Sequence, residues 1–148
     1  MTTHRDFSSN SPEQTIAAGR ELARFLQPGQ LIALRGDLGS GKTTIVKGIA
    51  EGLNAGLRES VTSPTFTLVH EYRGPSITVF HIDLYRIETE RELLTVGIDD
   101  LRAEPSALLL IEWADKFPSV QQDSDAEIVL ERTADRERKV TYRWHSRR

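Results

Sequence analysis

The sequence contains no cysteine. That excludes disulfides, Cys-ligated zinc and thiol catalysis together, and it fits a reducing compartment. Also missing is any apolar run near the roughly 18 residues that span a bilayer, and the opening MTTHRDFSSN has no apolar segment of the kind that directs secretion. The expected setting is the cytoplasm, with no membrane partner. There is no basic excess either: 22 acidic against 19 basic residues leave a formal charge of -3, which argues against broad binding along a phosphate backbone. The basic ending DRERKVTYRWHSRR is the local exception, and it reads as a solvated strand and a frayed tail. Repeats, linkers and low-complexity tracts are absent.

What is present suits one globular unit. The composition, 38% hydrophobic and 28% charged, is far from that of disordered or fibrous chains. A chain of 148 residues can bury about 68–70% of its unfolded surface around one core. A single domain over residues 1–148 is expected, with mobile termini at 1–10 and 145–148.

Periodicity places the elements. Ser11 can cap a helix that Pro12 starts, with Gln14 placed to return a capping-box bond; Ile16, Gly19, Leu22, Ala23 and Leu26 recur at helical spacing up to Pro28-Gly29. QLIALR reads as a short buried strand, and KTTIVKGIAEGL as a second helix with Ile45, Ile49 and Leu53 on one face. GLRESVTSPTF has little periodicity and is expected as a loop. TFTLVHEY and SITVFHIDLY form a hairpin pattern around Arg73-Gly74-Pro75; helical pieces broken at Gly97, the strand ALLLIEW and a second hairpin turning at Ala134-Asp135-Arg136 complete the chain. This order predicts an α/β fold, with a mixed parallel and antiparallel sheet flanked by helices.

Between the first strand and the second helix stands Gly36-Asp37-Leu38-Gly39-Ser40-Gly41-Lys42-Thr43, which fits G-x-x-x-x-G-K-[ST] without a mismatch. Small residues let the backbone wrap an anion so that successive N–H groups point inward, and the helix N-terminus adds partial positive charge. Lys42 can reach the β- and γ-phosphates, and the Thr43 hydroxyl can hold Mg²⁺. Such a cradle also needs a carboxylate at a neighbouring strand end. Asp83, ending TVFHID, and Glu112, ending ALLLIE, are the two candidates, and at least one is expected to meet Mg²⁺ directly or through water.

Other residues carry weaker signals. Thr62, Ser63 and Thr65 around Pro64 read either as a polar surface loop or as a switch segment. His70 and His81 read as solvated or core histidines, and Trp113 as packing beside Glu112 that could report nucleotide binding. No N-K-x-D motif occurs, so the nucleotide expected is ATP rather than GTP. Three functions stay open on the residues alone: a partner-dependent ATPase, a nucleotide-gated binding module and a small-molecule kinase. Little sequence remains for both a lid and an acceptor pocket, which disfavours the kinase.

GDLGSGKTT, TSPTFTLVHEY, HIDLYRI and LLLIEWADKF, in this order, resemble the bacterial TsaE (YjeE) family, and the four blocks cover most of residues 36–117. The glycine motif is widespread; T-S-P-T-F with H-x-D-L-Y-R and I-E-W is far more specific. The resemblance implies a P-loop NTPase-like domain and an ATPase that supports threonylcarbamoyladenosine formation in tRNA. TsaC would make the activated threonylcarbamoyl group, and TsaB with TsaD would transfer it while this protein docks on that pair and touches tRNA only indirectly. It further implies ATP on Asp37, Leu38, Gly39, Ser40, Gly41, Lys42, Thr43 and Thr44, Mg²⁺ on Thr43 and Glu112, and an essential acid at Asp83. The family places adenine near the N-terminal segment and the C-terminal hairpin. Arg86 is a possible arginine finger, although a partner could supply that charge.

Overall fold

The computed structural model describes residues 2–37, 40–62 and 68–145. Eight strands form one sheet: β1 (Thr2–Ser9), β2 (Leu31–Gly36), β3 (Gly56–Thr62), β4 (Leu68–Arg73), β5 (Thr78–Asp83), β6 (Ala107–Glu112), β7 (Ala126–Arg132) and β8 (Arg138–His145). Their spatial order is β1-β8-β7-β2-β6-β5-β4-β3. The central four, β7, β2, β6 and β5, are mutually parallel, while β8 with β1 and β4 with β3 extend the two sides antiparallel. The helices are α1 (Pro12–Leu22), α2 (Lys42–Gly52), α3 (Glu90–Val96), α4 (Ile98–Arg102) and α5 (Pro118–Asp123). Among the described residues, no helix is long and apolar enough to cross a membrane.

Apolar residues on both faces explain the central strands, because parallel strands covered on each side read as continuous apolar runs. Within β2, Ile32 and Leu34 join the layer under α1 and α2, with Leu22, Ile45, Ile49, Ile128 and Tyr142. Leu31 and Ala33 face the opposite layer with Phe80, Ile82, Leu109, Ile111, Leu93 and Phe117. All six residues of β6 are buried. The site-bearing strand ends are therefore held by core on both sides.

Local signals fix the helix starts. The Ser11 hydroxyl accepts the Gln14 N–H at 3.1 Å, as the sequence predicts, but the Gln14 side chain returns to the N–H of Asn10 at 2.6 Å rather than to the cap residue. A full capping box forms at α3, where Thr89 and Glu92 exchange bonds, and Gly97 in the left-handed region separates α3 from α4. α1 and α2 cross at glycines. A Cβ added at Gly19 would lie 2.6 Å from the Ile45 carbonyl oxygen, and one at Gly48 would run into the Ile16 carbonyl.

Two expectations are corrected. Thr2–Ser9, expected within a mobile terminus, forms β1 and pairs along its whole length with β8, from Thr2 opposite His145 to Ser9 opposite Arg138. Residues 56–62, expected as loop, form β3 against β4. Both are outermost strands, held mainly by backbone hydrogen bonds on one side, so they need little of the apolar alternation that marks inner strands. Ser63 and Thr65 lie outside the described residues.

Candidate functional site

The parallel strands deliver their C-terminal ends to one edge of the sheet, where open α/β sheets bind ligands. At that edge β2 ends at Gly36 and α2 begins at Lys42. The Ser40 N–H donates to the Asp37 carbonyl at 3.0 Å, which tightens the turn. Leu38 and Gly39 lie outside the described residues. Gly36 must be small, because a Cβ there would lie 2.5 Å from the Ser40 hydroxyl and 2.9 Å from the Leu130 carbonyl oxygen. Gly41 precedes the helix in the left-handed region, and no side chain caps α2. The first N–H groups of that helix therefore have no partner from its own backbone or from a cap. The Ser40 hydroxyl is buried and has no hydrogen-bond partner among the described residues.

Lys42 and Glu112 meet across the turn. The Lys42 ammonium lies 3.2 Å from Glu112 Oε1, with the side chains 13% and 9% exposed. The second carboxylate oxygen, Oε2, lies 2.6 Å from His81 Nε2. Burial by itself raises the Glu112 pKa, but the hydrogen bond and charge of His81 and the charge of Lys42 outweigh it and hold the carboxyl below its usual range. Glu112 is thus a buried anion shared by two cationic or donor partners. The His70 and His81 rings stand 5.8 Å apart. Burial, and then the neighbouring His81, depress the His70 pKa.

Asp83 and Glu112 are register partners on adjacent parallel strands, so both acids reach the same edge. The Leu84 N–H donates to the Glu112 carbonyl at 3.1 Å, and Asp83 Oδ1 accepts the Tyr85 N–H at 3.0 Å. Trp113 follows in a left-handed turn at φ 65°, 38% exposed, with its ring centroid 5.5 Å from the Lys42 ammonium and 5.4 Å from the Tyr85 ring.

A cleft of about 1030 Å³ opens over these groups. Gly41, Lys42, Thr43, Thr44, Asp83 and Glu112 line it, together with Tyr85 and Trp113. Asn10 and Ser11 ahead of α1, Pro12 and Thr15 in its first turn, Asp135 and Arg136 from the β7–β8 turn and Arg138 at the start of β8 line it as well. The sequence-predicted lysine, threonines and both acids converge here. Asp37 instead borders a smaller cavity of about 260 Å³ beside Gly36 and Trp113. Arg86 is exposed and does not line the cleft; Arg136 and Arg138 do. His81, read from the sequence as a solvated or core histidine, is buried against Glu112. Its position two residues before Asp83 on a parallel strand was the available signal, but only the β5–β6 register makes it a neighbour of Glu112.

A strand, a glycine cradle and a helix at the centre of a mixed α/β sheet, with a carboxylate on the adjacent parallel strand, define a P-loop NTPase-like domain. A crystal structure of YdiB from Bacillus subtilis superposes with a TM-score of 0.73 at 29% identity, over 99% of this chain and 88% of that one. The family model "Threonylcarbamoyl adenosine biosynthesis protein TsaE" matches residues 9–140. The tRNA threonylcarbamoyladenosine biosynthesis protein TsaE of Bacillus subtilis is 40% identical over 89% of this chain and 80% of its own length. The protein of that name in Treponema pallidum is 35% identical over 90% and 96%. The chain belongs to the TsaE family, whose members take part in the biosynthesis of threonylcarbamoyladenosine in tRNA.

Proposed function

We propose that this protein binds ATP with Mg²⁺ in the cleft and hydrolyses it, in support of threonylcarbamoyl transfer to tRNA by TsaB with TsaD. The observation that carries the reading is the convergence of the uncapped α2 N-terminus, Lys42 and Glu112 at the C-terminal ends of parallel strands. The buried Ser40 hydroxyl, without a partner among the described residues, and the space kept by Gly36 also fit a loop built to surround a polyphosphate. The donor set suits a hard divalent ion as well. Thr43, Glu112 and Asp83, which all line the cleft, would hold Mg²⁺ through oxygen atoms. Bound there, Mg²⁺ supplies charge neutralisation on the phosphate oxygens.

The chain's own groups divide the remaining work. Amides from Asp37 to Thr44 bind the phosphates, and Lys42 turns from Glu112 to the terminal phosphate. Asp83 and Glu112 orient a water in line with the bond to be broken. The water oxygen bonds to the γ-phosphorus, the bond from phosphorus to the β–γ bridging oxygen breaks, and the water proton leaves to solvent. Lys42 and the amides stabilise the charge that develops. Adenine would lie toward Asn10, Pro12 and Arg136.

Phosphate release from ATP, measured alone and with TsaB and TsaD, tests the proposal. Slow release that rises with the pair is expected, and Lys42→Ala should lose about a hundred-fold. Release by Lys42→Ala at the unaltered rate would refute the cradle assignment. Nucleotide-dependent docking with no release would favour the nucleotide-gated module, and phosphate passed to an acceptor would favour a kinase.

A further inference from the structure

We infer that His81 is a positioning residue for Glu112: its Nε2–H grips one carboxylate oxygen and leaves the other facing the cradle. The inference rests on the nucleotide reading and deepens it.

Glu112 carries two oxygens with different partners. Oε2 lies 2.6 Å from His81 Nε2, and Oε1 lies 3.2 Å from the Lys42 ammonium. An ionised carboxylate only accepts hydrogen bonds, so the nitrogen facing it must carry the proton. His81 is therefore the donor in this contact, through Nε2–H. The two contacts are not equivalent in permanence. Lys42 has a long flexible stem and is the group expected to turn toward phosphate, whereas His81 is 7% exposed and fixed within β5. Once Lys42 turns away, His81 is the side-chain donor left on the Glu112 carboxylate among the described residues. Without that grip, a carboxylate 9% exposed in side-chain terms would have one fewer donor and more than one accessible rotamer. A side chain that only filled space at position 81 would not need an N–H at this point.

Partners that orient a metal-binding carboxylate typically matter about 10–100-fold when removed. The test compares His81→Leu, which keeps apolar volume but has no N–H, with His81→Gln, whose amide can donate from a similar place. Binding of the fluorescent probe mant-ADP is measured in EDTA and across a magnesium titration, beside kcat and KM for ATP. The expected result for His81→Leu is unchanged mant-ADP affinity in EDTA, a magnesium midpoint raised about ten-fold, and a fall in kcat with little change in KM. His81→Gln should recover most of both. Nitrogen-15 NMR of the unaltered protein, without nucleotide, should show a proton on His81 Nε2 that is perturbed by Glu112→Gln.

A His81→Leu protein with the unaltered magnesium midpoint and kcat would overturn the inference. So would a His81 ring protonated only at Nδ1. Equal losses in Leu and Gln variants, accompanied by equal losses in melting temperature, would reduce His81 to core packing and overturn it as well. Failure of the unaltered protein to bind mant-ADP at all would instead strike the nucleotide reading, and this role with it.

Discussion

The residue that concentrates the site's physics is Trp113. A bulky side chain at φ 65° occupies backbone space that costs roughly 1 kcal/mol or more, and such strain persists only where surrounding structure enforces it. Here the flanking groups are Glu112, buried with its carboxylate committed, and Ala114, fully buried. The turn holds the indole over Lys42 and beside Tyr85. The chain has two tryptophans, so Trp144→Phe isolates this one. In that variant, emission from Trp113 should change on adding ATP with magnesium, as the ammonium leaves the ring face. A flat titration under conditions where mant-ADP binds would show that Lys42 does not move.

The packing of secondary-structure elements sets the shape of the cleft. α1 brings its cap Ser11 with Pro12 and Thr15 to the cleft and α2 brings Lys42, Thr43 and Thr44, while Gly19 and Gly48 let the helices cross closely. A methyl at residue 48 would meet the Ile16 carbonyl oxygen and lie 2.9 Å from its carbonyl carbon, and backbone cannot swing aside as a side chain can. Gly48→Ala should therefore destabilise the protein by about 1–3 kcal/mol and weaken nucleotide binding, because α1 must shift. Calorimetry and mant-ADP titration would check both; an unchanged melting temperature would contradict the packing described. At this scale much was legible in the sequence. Ser11, Pro12 and Gly97 marked helix ends by local chemistry, and the continuous apolar runs of β2 and β6 marked strands buried on both faces. β1 and β3 were not legible, because outer strands draw their stability from backbone pairing that leaves little trace in side-chain pattern.

For the whole molecule, the divide between what sequence revealed and what it hid follows chain distance. Lys42, Thr43 and the glycine turn form a contiguous motif, and Asp83 and Glu112 each end an apolar run, so all could be named in advance. His81 gained its neighbour only from the β5–β6 register; the resemblance pointed to the N-terminal segment and the C-terminal hairpin, but the pairing of β1 with β8 is what brings Asn10, Arg136 and Arg138 in particular to the cleft.

Acid stability is also a property of the assembled molecule, since Glu112 is held low by groups from β5 and α2. A carboxyl whose folded pKa is depressed stabilises the fold above the pH where the unfolded chain ionises, about 4.3 for Glu, and loses that contribution as pH falls through the folded value. In metal-free protein, the urea-midpoint difference between the unaltered chain and Glu112→Gln should hold steady from about pH 7 to about pH 5 and shrink below about pH 4.3. A difference that stayed constant into stronger acid would deny the depressed pKa.

The pairing of β1 with β8 has a mechanical side. Thr2 and His145 stand opposite one another at the same end of an antiparallel ladder. A load applied at those two residues would peel the ladder rung by rung instead of shearing it all at once. Ser9 is the last residue in that ladder and Asn10 follows it at the rim of the cleft. Because β8 is also paired along its length with β7, while β1 has a partner on one side alone, β1 is the strand that such a load would peel away, and the rim at Asn10 would go with it.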